Sequence, residues 1–163
     1  MKKFRLLIVL LSLSITTHAI ARDEIMSYPI ADAMLRAPEA NTPIEGVAFY
    51  FGDHSIPETT TKFDEIKTVR RTNLNTSANV KKDTKSSRLS KTNKRKLACE
   101  WAFLAAIQAL QNNAKSQSAN AVINIKSNWK NTESSSETNY TCAVGNAMVG
   151  VALKGIPATI DKK

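Results

Sequence analysis

Two cysteines, Cys99 and Cys142, sit on either side of a change in hydrophobic period, and this constrains the fold more than any other feature of the chain. From Leu97 to Ala114 the apolar residues recur at helical spacing. Leu97, Trp101 and Leu104 lie on one line and Phe103, Ile107, Leu110 and Ala114 on the next. They make a broad stripe that must face a core, with Cys99 on its inner side beside Ala102, Phe103 and Ala106. Polar residues after Leu110 predict an end near Ser118.

The period then becomes two. Ala121, Ile123 and Ile125 alternate with Asn120, Val122, Asn124 and Lys126, which predicts a strand with the first three on one face. A polar turn at Asn131–Ser136 precedes a second strand-like run, Thr138–Leu153, with Tyr140, Cys142 and Val144 on one face. Gly145 and Gly150 mark bulges or close backbone approaches there. The fold class is α+β: one main helix packed on a small, mostly antiparallel sheet with a C-terminal β-hairpin, the helix and hairpin joined by a disulfide.

The redox compartment follows from the first residues. Lys2, Lys3 and Arg5 precede the apolar run LLIVLLSLSI and then Ala19-Ile20-Ala21, the pattern of a secretory signal peptide spanning 1–21 and cleaved after Ala21. The run is about half of the ~20 residues a membrane span needs, so no span is expected after processing and the chain is expected in the periplasm or outside the cell. There a lone cysteine pair is more often bridged than free; two unpaired core thiols are the alternative. A Cys99–Cys142 bridge closes a loop of 44 residues, counting both ends. By chain entropy such a loop contributes about 4 kcal/mol.

The rest of the mature chain reads as an irregular segment, 22–46, and a single α+β domain, 47–163. Pro29, Pro38 and Pro43 punctuate the first, with a short helix at Ala31–Leu35. Val47–Phe51 reads as a buried strand before the turn Gly52-Asp53-His54, and Thr59–Thr68 as another.

Composition matters most in the segment 70–96. Lys81, Lys82, Lys85, Arg88, Lys91, Lys94, Arg95 and Lys96 face only Asp83 among Ser, Thr and Asn, which predicts a basic mobile loop. If Thr92 or Asn93 caps the helix, Lys94–Lys96 fill its first turn, where the macrodipole disfavours cations by about 0.3–1 kcal/mol each. Local helix stability does not account for them; an anionic partner does, and so does solubility. The formal charge of +9 includes Lys2, Lys3 and Arg5, so a chain cleaved after Ala21 carries +6. The expected partners are an anionic envelope component, such as a lipid headgroup or cell-wall polymer, or another envelope protein. No aromatic residue interrupts the run to stack on bases, which disfavours nucleic acid. The oligomeric state stays open.

Catalytic motifs are missing. The chain has no GxxxxGK[ST], GxGxxG or GxSxG sequence, and the mature part has one histidine, His54. No enzyme activity or cofactor is expected, and no bound metal either, because a zinc site would have to use His54, carboxylates and cysteines that are expected to be bridged. Asp53 with His54, and Asp64 with Glu65, are carboxylate-bearing turns that nothing in the sequence brings into one cleft.

ANAVINI (Ala119–Ile125), Ser134-Ser135, YTCAVG (Tyr140–Gly145) and MVGVALKG (Met148–Gly155) resemble a family of small exported bacterial proteins, as do CEWAFLAAIQALQ, YPIADAM and FYFGD. That family is commonly labelled excinuclease ATPase subunit, which implies a nucleic-acid-binding or repair role. Such an ATPase needs a phosphate-cradling loop with its lysine, which this chain lacks. The helix, the ANAV strand and the final hairpin more distantly resemble the heavy-metal-binding domain family and the Rcs stress-sensor lipoprotein domain. This second likeness implies a helix on a small sheet, disulfides between comparable elements, and an envelope-sensing or metal-binding role. No lipid-bearing cysteine follows the apolar run, and the Lys81–Lys96 segment is longer than the close family implies. The leading expectation is a non-enzymatic exported protein that binds or senses an anionic partner through this basic loop.

Overall fold

The computed structural model describes residues 23–39, 41–53, 56–74 and 91–161. The expected signal peptide, His54, and four of the loop cations (Lys81, Lys82, Lys85 and Arg88) lie outside the described residues. In chain order the elements are β1 (Glu24–Pro29), α1 (Ile30–Leu35), β2 (Ala48–Phe51), β3 (Thr59–Lys62) and β4 (Ile66–Asn73). There follow α2 (Lys91–Ser116), β5 (Ala121–Trp129), β6 (Thr132–Ser134), β7 (Asn139–Val144) and β8 (Met148–Ile160). No described helix is long and apolar enough to cross a membrane.

The fold is α+β, with one long helix against a mixed sheet of eight strands. β8, the longest strand at 13 residues, is its spine. One side of β8 pairs with β4 and then β3; the other pairs with β7 and then β5. β1 extends the sheet beyond β7, β2 beyond β5, and among the described strands only the β2–β5 pair is parallel. The run 138–153 is therefore two strands rather than one. It breaks at a turn where the Gly145 N–H donates to the Met148 carbonyl at 2.9 Å, making β7 and β8 the hairpin.

α2 buries Ala98, Cys99, Ala102, Phe103, Ala106, Ile107, Leu110 and Ala114 against one sheet face. The alanines at 98, 102 and 106 let the helix axis approach the strands closely. Leu97 and Trp101 are only partly buried, so the stripe is narrower on that side than its spacing predicts. The helix stops at Ser116 where its end was expected. Ser118 takes a left-handed φ of 58°, and the Ala119 N–H bonds back to the Ala114 carbonyl at 2.9 Å.

The disulfide is present, with Cα atoms 5.9 Å apart, and both cysteines are fully buried. Its neighbours explain its position. Phe103, one turn after Cys99, stacks on Tyr140, two residues before Cys142, with ring centroids 4.2 Å apart. Four helical residues advance about 6 Å and two strand residues about 6.8 Å, so one bridge and one ring stack fit the same pair of elements in register. Tyr28 of β1 and Phe51 of β2 each lie 6.1 Å from this stack and carry it to both sides of the sheet.

Two sequence expectations need correction. The segment 22–46 is not irregular, because Glu24–Pro29 pairs along its whole length with β7 and Ile30–Leu35 is a helix on α2. The domain therefore begins before residue 47. The second concerns the alternation in β5. Asn124 takes a φ of 53° and the register against β8 shifts between Ile123 and Lys126. This bulge reverses the faces: Val122 and Ile125 join the core under α2, while Ala121 and Ile123 join a second cluster with Ala158 and Tyr50. Gly155 lies against the bulge, where a Cβ would stand 2.7 Å from Val122 Cγ1.

Candidate functional site

Of the cations singled out by the sequence, the four among the described residues fall at the start of α2. Lys91, Lys94, Arg95 and Lys96 belong to α2, and Arg70–Asn73 to β4, so the segment 70–96 is not one loop. The helix begins at Lys91 rather than after a Thr92 or Asn93 cap, which moves Arg95 and Lys96 past its first turn. Both are held by carboxylates. Arg95 reaches Glu24 of β1 at 3.0 Å, and Lys96 donates to Asp32 of α1 at 2.6 Å and approaches Glu100 at 3.5 Å. The Asp32 hydrogen bond holds the Lys96 ammonium above its usual pKa. A partner outside the chain is not needed to explain these two residues.

Glu100 anchors this corner. Its side chain is 1% exposed, yet it lies between Lys96 and Arg36, whose Nε touches Oε2. Arg36 also bonds Glu39 at 3.2 Å. The ion pairs fasten β1 and α1 to the start of α2 around a cleft of about 440 Å³ lined by Arg36, Asn93, Lys96, Leu97 and Glu100. Behind it Tyr140 is buried, which pushes its hydroxyl well above the usual phenol range. The arrangement joins β1, α1 and α2.

The carboxylate turns also have structural partners. Asp53 pairs with Lys126 at 2.6 Å and accepts a bond from Ser135 at 2.9 Å. Glu65 pairs with Lys154 at 3.0 Å, and Glu133 touches the same ammonium. Among the described residues no three His, Cys, Asp or Glu side chains gather as a metal site.

The sheet face away from α2 carries a feature that the sequence reading missed. Trp129, at the end of β5, lies over Gly150 of β8, where a Cβ would come 2.4 Å from the indole. The Arg71 guanidinium stands 5.5 Å from the ring centroid, and the indole N–H donates to Asp23 at 3.3 Å. Clefts of about 260 and 330 Å³ flank the ring. Lys130, which borders both, pairs with Asp23 at 2.9 Å and holds that carboxyl below its usual pKa. The available signal was a tryptophan in the polar stretch NWKN, beside a turn with no glycine.

Charge completes the picture. The described residues contain thirteen Lys and Arg and thirteen Asp and Glu. The positive excess of the chain therefore belongs to residues outside them, including Lys81, Lys82, Lys85 and Arg88 against Asp83. No family model, curated protein or solved structure matches this chain.

Proposed function

We propose that this chain is an exported, non-enzymatic protein that binds or senses an anionic envelope component through the basic stretch leading into α2. The contact consists of Lys81, Lys82, Lys85, Arg88, Lys91 and Lys94; Arg95 and Lys96 are withdrawn from it because they are paired within the chain. The observation that carries this reading is the charge partition. The described residues balance in charge, whereas 81–88 sets four cations against one carboxylate and runs straight into Lys91 and Lys94, which concentrates attraction for an anion there. Each Lys or Arg brought to an anionic surface contributes about 1 kcal/mol, so four to six suffice for salt-sensitive binding. The signal-like first 21 residues and the likeness to small exported proteins support the compartment.

The test is sedimentation of the mature chain with phosphatidylglycerol vesicles, and with isolated cell wall, at increasing salt. Replacing the six cations by Ser and Gln is expected to lower affinity at least about tenfold and flatten the salt dependence. Unchanged binding ends the proposal. A cytoplasmic, uncleaved chain with tighter affinity for duplex DNA replaces it with the nucleic-acid reading.

A further inference from the structure

We propose that the face bearing Trp129 is a binding site for an acidic saccharide, separate from the basic stretch. Trp129 belongs to neither hydrophobic cluster of the protein. It lies on the sheet face that α2 does not cover, and its place depends on a missing side chain, since any Cβ at residue 150 collides with the ring. A flat aromatic surface is thus held against backbone, with a cleft on each side.

What surrounds the ring selects the ligand. Lys67 and Arg71 from β4 and Lys130 from the β5–β6 turn line the smaller cleft, with Asn128 and Asn131 between them. The larger cleft adds the hydroxyl side chains of Thr132, Ser134 and Thr141. Lys130 is paired with Asp23 and Lys67 lies 3.8 Å from Glu65, whereas Arg71 stands over the ring and feels Asp23 only beyond ion-pair distance. A pyranose presents C–H bonds to an aromatic face and hydroxyls to amides and threonines. A carboxylate, sulfate or phosphate on that sugar is an anion that the Arg71 guanidinium, in no ion pair among the described residues, can grip through its fork of donors. Each cleft is near the lower bound of about 300 Å³ for small-molecule sites, the scale of a single sugar ring beside the indole.

The turn supports the same reading. Lys130 and Asn131 both have left-handed φ values, 50° and 62°, as a two-residue hairpin turn requires. Glycine takes this conformation freely, whereas lysine there costs about 1 kcal/mol, a cost that places an ammonium beside both clefts.

The experiment is fluorescence titration of the mature Trp101→Phe chain, in which Trp129 is the sole indole, with an alginate hexasaccharide. Saturable quenching is expected, weakened at least tenfold in Arg71→Gln and in Lys130→Gln and by salt, with neutral chitohexaose binding at least tenfold more weakly. Both substitutions are at exposed side chains, and circular dichroism verifies that the variants fold. Equal affinity in the two variants, equal affinity for chitohexaose, or equal affinity for hexaglutamate overturns the proposal. So does binding that vanishes when the Lys81–Arg88 cations are replaced and persists in Arg71→Gln, which would assign the ligand to the basic stretch.

Discussion

Removing the bridge with the double substitution Cys99→Ala/Cys142→Ala is expected to cost about 4 kcal/mol. The magnitude follows from the sequence separation of 43 residues. Closing such a loop removes about 13 cal/mol/K from the unfolded chain, or about 4 kcal/mol at 25 °C. Unfolding entropy is about 2.1 cal/mol/K per residue, so for the 120 described residues this lowers the melting temperature by about 15 °C. Urea unfolding of the oxidised parent and the variant measures the difference. The dependence on urea is expected to steepen in the variant, because an unfolded chain without the cross-link exposes more surface. Both sulfurs are fully buried, so dithiothreitol should reduce the native protein only through opening, orders of magnitude more slowly than the unfolded one. A loss below about 1 kcal/mol, or native reduction as fast as that of the unfolded chain, would refute the reasoning.

Three further outcomes follow from the same structure. Arg36→Met leaves Glu100 buried with Lys96 as its remaining cation and is expected to cost about 3 kcal/mol in urea unfolding, most of it recovered in Arg36→Met/Glu100→Met; strict additivity would show that the pair is not coupled. Asn124→Val should cost about 1–2 kcal/mol because a β-branched residue resists the left-handed bulge, whereas Asn124→Gly should be near neutral; equal stabilities would place the bulge elsewhere. Asp23 and Glu133 are held below their ordinary values of 3.8 and 4.5 chiefly by hydrogen bonds from Lys130 and Lys154. Their folded pKa values are depressed, so their contribution is complete above about pH 5 and falls as both protonate at lower pH. The urea midpoint of Asp23→Asn/Glu133→Gln should therefore change less than the parent's between pH 6 and 3.

The helix, the bridge and the turn to strand were legible because their signals are local or arise from one pair of residues. β1 was not, because its inward residues, Met26 and Tyr28, are separated by Ser27 and followed by Pro29, and its partner strand lies more than a hundred residues away. β4 was masked by its outward cations. Thr68 is its buried residue, while the apolar Val69 faces out, so its alternation runs opposite to the usual one. The β5 faces were misread for a single reason: one left-handed residue, Asn124, resets a period of two that no composition rule follows across it.

The same contrast separates the two proposed contacts. Arg95 and Lys96 looked unexplained in the sequence because their partners, Glu24 and Asp32, are more than sixty residues earlier; once folded, they serve to attach β1 and α1 to α2. Tertiary pairing thus accounts for Arg95 and Lys96, and leaves Lys91, Lys94 and the part before the helix as charge without a balancing carboxylate nearby in sequence, except Asp83. Arg71 is a counterpart within the body: a cation set over an aromatic ring, with Asp23 beyond ion-pair distance. Pairing that satisfies a charge inside the chain argues for structure, and its absence argues for a partner. By that criterion the two surfaces to test are the stretch before α2 and the face of Trp129, and they are separable because Arg71→Gln changes one and leaves the other intact.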